Sequence, residues 1–175
     1  MLRLVLPSPK YKASFLKALK EVKSAPKSTS HAFVNLDYKE TNNNFVEFCK
    51  KINDQRKGIG IRKGFVPCTM YWLVDGDKYI GRVSIRHKLT PSLRTIGGHI
   101  GYEIRPSGRG RGYGTKILKL VLPKARLLGL KKVLLTCYND NFASKKIIIS
   151  NGGVQINEKN VKITKTGTVK FWIKL

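Results

Sequence analysis

Glycines at positions 108, 110, 112 and 114, with Arg109 and Arg111 set between them, form the stretch of this chain best suited to chemistry. The segment from Gly101 to Leu128 reads as a strand ending at Pro106, a glycine loop and an amphipathic helix. Glycine lets the backbone turn tightly and approach a ligand closely. A helix that opens directly after such a loop presents unpaired N–H groups and the positive end of its dipole, an arrangement that binds anions. The two arginines add full charge at the same place. Two common phosphate loops are excluded by spacing: G-x-x-x-x-G-K-[ST] is absent, and G-x-G-x-x-G fails because Thr115 stands where the third glycine belongs. What fits is R-x-x-G-x-G, running Arg109, Gly110, Arg111, Gly112, Tyr113, Gly114, and it points to the pyrophosphate of a nucleotide-type cofactor. The competing reading is an arginine–glycine segment that binds RNA or is merely flexible. Such segments are low in complexity, whereas this one sits between a strand pattern and a helix pattern.

The elements that must position this loop are legible in the hydrophobic spacing. Leu2 to Leu6 reads as a short strand. Tyr11, Phe15, Ala18, Leu19 and Val22 recur at three and four, which predicts a helix, with lysines mostly on its other face. Residues 24 to 44 hold Pro26, several Ser and Thr and three successive asparagines, and read as loop. Phe45, Phe48, Cys49 and Ile52 predict a second helix, broken at Arg56 to Gly60. Met70 to Val74 and Tyr79 to Ile85 are strands joined by a turn at Asp75-Gly76-Asp77. His99 to Ile104 is the strand entering the glycine loop. The helix beyond carries Ile117, Leu118, Val121, Leu122, Ala125 and Leu128, with Pro123 expected to kink it and Gly129 to stop it. Lys132 to Cys137 is a buried strand, Asn141 to Asn151 a short helix, Val154 to Ile156 and Val161 to Ile163 an irregular strand. Val169, Phe171, Ile173 and Leu175 alternate as the last strand. The order is β-α-α-β-β-β-α-β-α-β-β, an α/β (α+β) chain with a mostly antiparallel central sheet flanked by helices. Residues 1–175 read as a single domain without a linker or internal repeat.

That loop and that order resemble the GNAT superfamily of N-acetyltransferases, over nearly the whole length. The nearest likeness is to a bacterial group of predicted acetyltransferases of unknown substrate. It rests on Tyr71-Trp72-Leu73-Val74-Asp75, Ile85-Arg86-His87, Gly97-Gly98-His99-Ile100-Gly101-Tyr102, Asn151-Gly152-Gly153 and Phe171-Trp172-Ile173. The resemblance implies acetyl-CoA as cofactor. Ile104 would give main-chain bonds to pantetheine, and the amides of Arg109, Gly110, Arg111, Gly112, Tyr113, Gly114 and Thr115 would wrap the pyrophosphate. Asn141 and Ser144 match the family's N-x-x-[AS], with Asn141 bonding the pantetheine arm or serving only as a helix cap.

The implied reaction is direct attack of an amine on the thioester. The amine arrives as ammonium, with a pKa near ~10.4 if lysine-like, so a base is needed. Glu103 and His99 share a strand parity beside the loop and are the candidate bases, directly or through water. An ion pair with a nearby arginine for Glu103, and a hydrogen-bonded core role for His99, are the alternatives. The family's usual acid, a tyrosine on the last helix, falls here at Ile148, which leaves the acid unassigned. Tyr102 and Tyr138 are the candidate substitutes.

Composition bounds the partners. With 35 Lys and Arg against 10 Asp and Glu, the net charge is +25, while 41% apolar residues mark a globular chain rather than a basic tail. Such a field attracts polyanions, so nucleic acid or the ribosome stands beside an unidentified small-molecule or protein amine as a partner. It also repels polyamine-like acceptors. Cys49, Cys68 and Cys137 make no C-x-x-C pair, which argues against a metal site and fits a reducing compartment. The cytoplasm is expected, with no membrane segment and a monomer or homodimer as the assembly.

Overall fold

The structure, a computed structural model, describes residues 1–25, 35–156 and 167–175. Strand β1 (Leu2–Val5) is followed by a 3₁₀ turn (Pro9–Tyr11) capped by Ser8, and this opens helix α1 (Lys12–Ser24). Phe15, Leu16, Ala18, Leu19 and Val22 are buried on one side of α1, and Lys17, Lys20 and Lys23 are exposed on the other. The second half of the expected 24–44 loop contains a helix, α2 (Tyr38–Asn43). Its polar sequence hides it from hydrophobic spacing. The Asp37 carboxylate starts it by accepting the Glu40 N–H at 2.7 Å. Helix α3 (Phe45–Asp54) then runs into a 3₁₀ turn that ends at Gly58, in the left-handed region at φ 79°. The rest of that expected loop, 26–34, and the expected strand Val161–Ile163 lie outside the described residues.

Strands β2 (Cys68–Asp75) and β3 (Lys78–Arg86) form the expected hairpin. A second unexpected short helix, α4 (Pro91–Thr95), follows; Thr90 caps it and a proline begins it, which costs no hydrogen bond at that position. Then come β4 (Ile100–Ile104), α5 (Tyr113–Leu127), β5 (Lys132–Tyr138), α6 (Phe142–Ile149), β6 (Val154–Gln155) and β7 (Thr168–Lys174). Apart from α2 and α4, the order is the expected one. Pro123 lies on the exposed side of α5, and the helix runs through it to Leu127.

The strands make two antiparallel sheets, β1-β2-β3-β4 and β5-β7-β6, where one central sheet was expected. Among the described residues they meet at one junction: the His99 N–H donates to the Leu134 carbonyl at 2.7 Å, and the Gly97 N–H to Thr136 Oγ1 at 2.8 Å. No ladder joins β4 to β5 beyond it among the described residues. Helix α5 holds the two sheets together. Its fully buried Ile117, Leu118, Val121 and Ala125 pack on Leu73, Val83 and Ile85 of the first sheet and on Leu135 and Phe171 of the second. The opposite face of the first sheet is covered by α1 and α3.

Candidate active site

The site sits where β4 leaves the first sheet and the chain turns into α5. Gly110 and Gly112 both have φ of 75°, the left-handed region that glycine alone enters without strain, and they carry the chain around the loop. Gly112 is the N-cap of α5 and offers no side chain to its first turn. The Lys116 N–H, bonded to the Gly112 carbonyl at 3.1 Å, makes the first helical bond. The N–H groups of Tyr113, Gly114 and Thr115 therefore precede the helical ladder and face outward as a donor cluster at the positive end of a 15-residue helix. Arg109 and Arg111 are exposed beside them. Gly114 has a different reason to be glycine: a Cβ there would lie 2.5 Å from Ile147 Cδ1, so its absence lets α6 pack against α5.

Ile104 is buried, and its carbonyl accepts Arg109 Nε at 3.3 Å, an internal loop contact rather than a free acceptor. Asn141 is the N-cap of α6, its side chain accepting the Ser144 N–H at 2.9 Å. The Ser144 hydroxyl turns to β4 and pairs with the Tyr102 hydroxyl at 2.9 Å, so α6 and β4 touch across the gap between the sheets. Burial pushes Tyr102 up to about 12. It also raises the Cys137 thiol, on β5, against which the Ser144 hydroxyl acts as a weaker opposing contact. Tyr138, by contrast, is 45% exposed. Ile148 is 1% exposed and belongs to the aliphatic core, so the helix position of the usual acid is filled by packing.

The two candidate bases engage different partners. Glu103 Oε2 meets Arg82 Nε of β3 at 3.2 Å, with both side chains largely buried. These residues are directly opposite in the β3–β4 register, so the pairing follows from the ladder. His99 is 7% exposed, at the junction of the sheets, and its Nδ1 accepts the Leu134 N–H at 2.9 Å. That bond fixes the proton on Nε2 in the neutral ring and leaves no lone pair for base chemistry. Burial, followed by the charges of Arg94 and Arg86, lowers its pKa, which keeps it neutral. His99 as placed is a strut between the sheets, and its expected role as a base finds no support in this geometry.

One constellation carried no signal in the spacing. Arg105, the residue after β4, is 9% exposed and pairs with Glu21 of α1. Only the register of the fold brings positions 84 residues apart together.

Residues 11–154 match the acetyltransferase (GNAT) domain family. The chain belongs to that family. Curated protein sequences give no match. Solved structures that share the fold include RimL, the ribosomal L7/L12 alpha-N-protein acetyltransferase in complex with coenzyme A. It is 16% identical with a TM-score of 0.68, over 99% of this chain and 94% of that one. The Microcin C7 self-immunity acetyltransferase MccE, in complex with acetyl-CoA and AMP, is 16% identical with a TM-score of 0.63, over 99% and 92%. A GNAT-family acetyltransferase from Streptococcus pneumoniae is 19% identical with a TM-score of 0.64, over 100% and 99%. As a GNAT acetyltransferase the chain takes acetyl-CoA as its donor. The left-handed glycines, the donor cluster at the start of α5 and the two exposed arginines fit the pyrophosphate of that group. No helix among the described residues is long and apolar enough to cross a membrane.

Proposed function

We propose that this GNAT domain, spanning residues 1–175, acts in the cytoplasm and transfers acetyl to an amine of a protein by direct attack on the thioester. The observation that carries the reading is the outward donor cluster of the Tyr113, Gly114 and Thr115 N–H groups, flanked by Arg109 and Arg111 and placed where β4 and β5 part. Acetyl-CoA supplies the activated acetyl group. Ser144, which reaches β4 across the same gap, and Asn141, which caps α6 beside it, are the residues proposed to meet the pantetheine arm. Glu103 is the proposed base, reaching the ammonium through water because Arg82 holds its carboxylate in the sheet. Tyr102 is the proposed donor toward the leaving sulfur, through Ser144. A donor at about 12 opposite a thiol of pKa about 8.5 stabilises the thiolate by hydrogen bonding and does not hand over its proton.

Protein amines are favoured because two of the solved neighbours act on ribosomal protein L7/L12 and because a chain at +25 repels free polyamines. A second reading, a catalytically impaired GNAT-fold module that binds nucleic acid or the ribosome through its basic surface, is favoured by the charge distribution. From Arg105 to Leu175 the acidic residues are Asp140 and Glu158 alone; Glu158 lies outside the described residues.

Isothermal titration of acetyl-CoA into the protein, beside an Arg109→Ala, Gly112→Asp double variant, tests the first reading. Micromolar binding lost in the folded variant supports it. Absence of binding by the natural protein removes it, and steeply salt-dependent RNA affinity would then support the second.

A further inference from the structure

In a chain with 35 cations and 10 acids, a carboxylate against an anion-binding loop is an electrostatic cost, yet Glu21 is held there. Glu21 lies on α1, near its C-terminal end. Its Oε1 accepts from Arg105 Nη2, and its Oε2 accepts Arg105 Nε at 3.1 Å. The same Oε2 accepts the Ser107 hydroxyl at 2.8 Å and the Ser107 N–H at 3.3 Å. Ser107 belongs to the 3₁₀ turn (Pro106–Gly108) through which β4 enters the glycine loop. Arg105 is fixed from behind by the Tyr79 carbonyl at 2.9 Å and by Ser14 Oγ at 3.4 Å. The Arg105 hydrogen bond, then that of Ser107, holds the Glu21 carboxyl down to about 2 against the opposing effect of burial, so it is ionised throughout the physiological range. A buried ion pair of this kind contributes little net stability over an apolar pair, so its use is geometric.

Resting on the cofactor reading above, we propose that Glu21 is the positioning residue of the phosphate loop. Through Arg105 and Ser107 it holds the entry turn in the anion-ready shape before acetyl-CoA arrives. Arg105 is thereby taken out of the anion site, and Arg109 and Arg111 remain as its cations. A preorganised loop spends less binding energy on ordering, which is where the affinity comes from.

The sign of one substitution separates this from bulk electrostatics. Removing a negative charge beside an anion site should tighten binding if charge alone matters, and the gain should fade as salt screens it. If Glu21 positions the loop, Glu21→Gln weakens acetyl-CoA binding by about tenfold, the loss of a charge-assisted hydrogen bond, at both low and high salt. Ser107→Ala, which leaves the Glu21–Arg105 pair intact, should weaken binding by a few-fold with an unchanged melting temperature. Amide hydrogen exchange of residues 107–112, read without cofactor, should be faster in both variants than in the natural protein. Unchanged or tighter binding by Glu21→Gln overturns the proposal. Should that variant not fold, Ser107→Ala decides: natural affinity and natural exchange overturn it equally. If the natural protein binds no acetyl-CoA, the cofactor reading fails, while the exchange measurement still tests the hold of Glu21 on the loop.

Discussion

On one face of the β1–β4 sheet, α1 and α3 bury a cluster of rings. Phe15 stacks on Trp72 at 4.8 Å and meets Tyr79 at 5.1 Å and Phe45 at 5.4 Å. On the other face α5 buries only aliphatic side chains, from Ile117 to Ala125, against Leu73, Val83 and Ile85. Rings are few, large and directional, so the pose of α1 depends on a handful of contacts with Phe15 at their centre. Aliphatic contacts are many and small, so the pose of α5 is spread over the whole helix. Polar groups also enter the ring face. The Tyr79 N–H donates to Ser14 Oγ at 2.9 Å, and Arg105 reaches Glu21 on the same side. The cofactor loop is thus attached twice, covalently to the distributed face through α5 and by an ion pair to the concentrated face through α1.

If that contrast is right, Phe15→Ala should be the most damaging of single core truncations, costing about 4 kcal/mol in urea unfolding. Leu118→Ala, as deeply buried, should cost about 3 kcal/mol. The reverse ranking would break the comparison. The junction between the sheets offers a pH test. His99 has a lowered pKa in the fold, so the unfolded chain binds its proton first as pH falls. Stability contributed by the neutral ring is therefore complete above the ordinary value of about 6.5 and declines as pH drops from there toward the lowered one. His99→Asn, which keeps an acceptor for the Leu134 N–H, should flatten that part of the curve of melting temperature against pH. A slope between pH 7 and 5 identical in both proteins would place the titration elsewhere, and His87, also lowered by burial, would be next in line. The smallest effect is expected at Gly114→Ala. The new methyl meets the Ile147 side chain, Cδ1 at 2.5 Å and Cγ1 at 3.3 Å, which must turn aside, and alanine's better helix propensity offsets that crowding by up to about 1 kcal/mol. A loss well above that would mean that Ile147 cannot give way and that α5 and α6 cannot shift apart, sharpening the picture of α5 as the helix that holds the two sheets together.

The helix spacing of α1, α3 and α5 and the alternation of β7 could be read directly because each buries one face, and periodicity records which face. Helices α2 and α4 were not legible that way. They are short and polar, and each is nucleated by one capping side chain, Asp37 or Thr90, rather than by a buried stripe. The glycine loop was legible because positive φ and close backbone approach leave their mark as glycine. The base was not. Glu103 and His99 share a strand parity in the sequence, and the fold then gives them different partners, Arg82 across one ladder and Leu134 across the sheet junction.

By itself, then, the sequence determined the family, the loop, its cations and most of the element order, since these depend on local conformation and on patterns within a few residues. Tertiary structure alone decided that the strands divide into two sheets, that His99 spends its lone pair holding them together, and that Glu21 meets Arg105 and Ser107. Those outcomes depend on which segments pack side by side. Hydrogen bonds between positions 35 to 86 apart leave no periodicity in the chain, so only the folded register can write them.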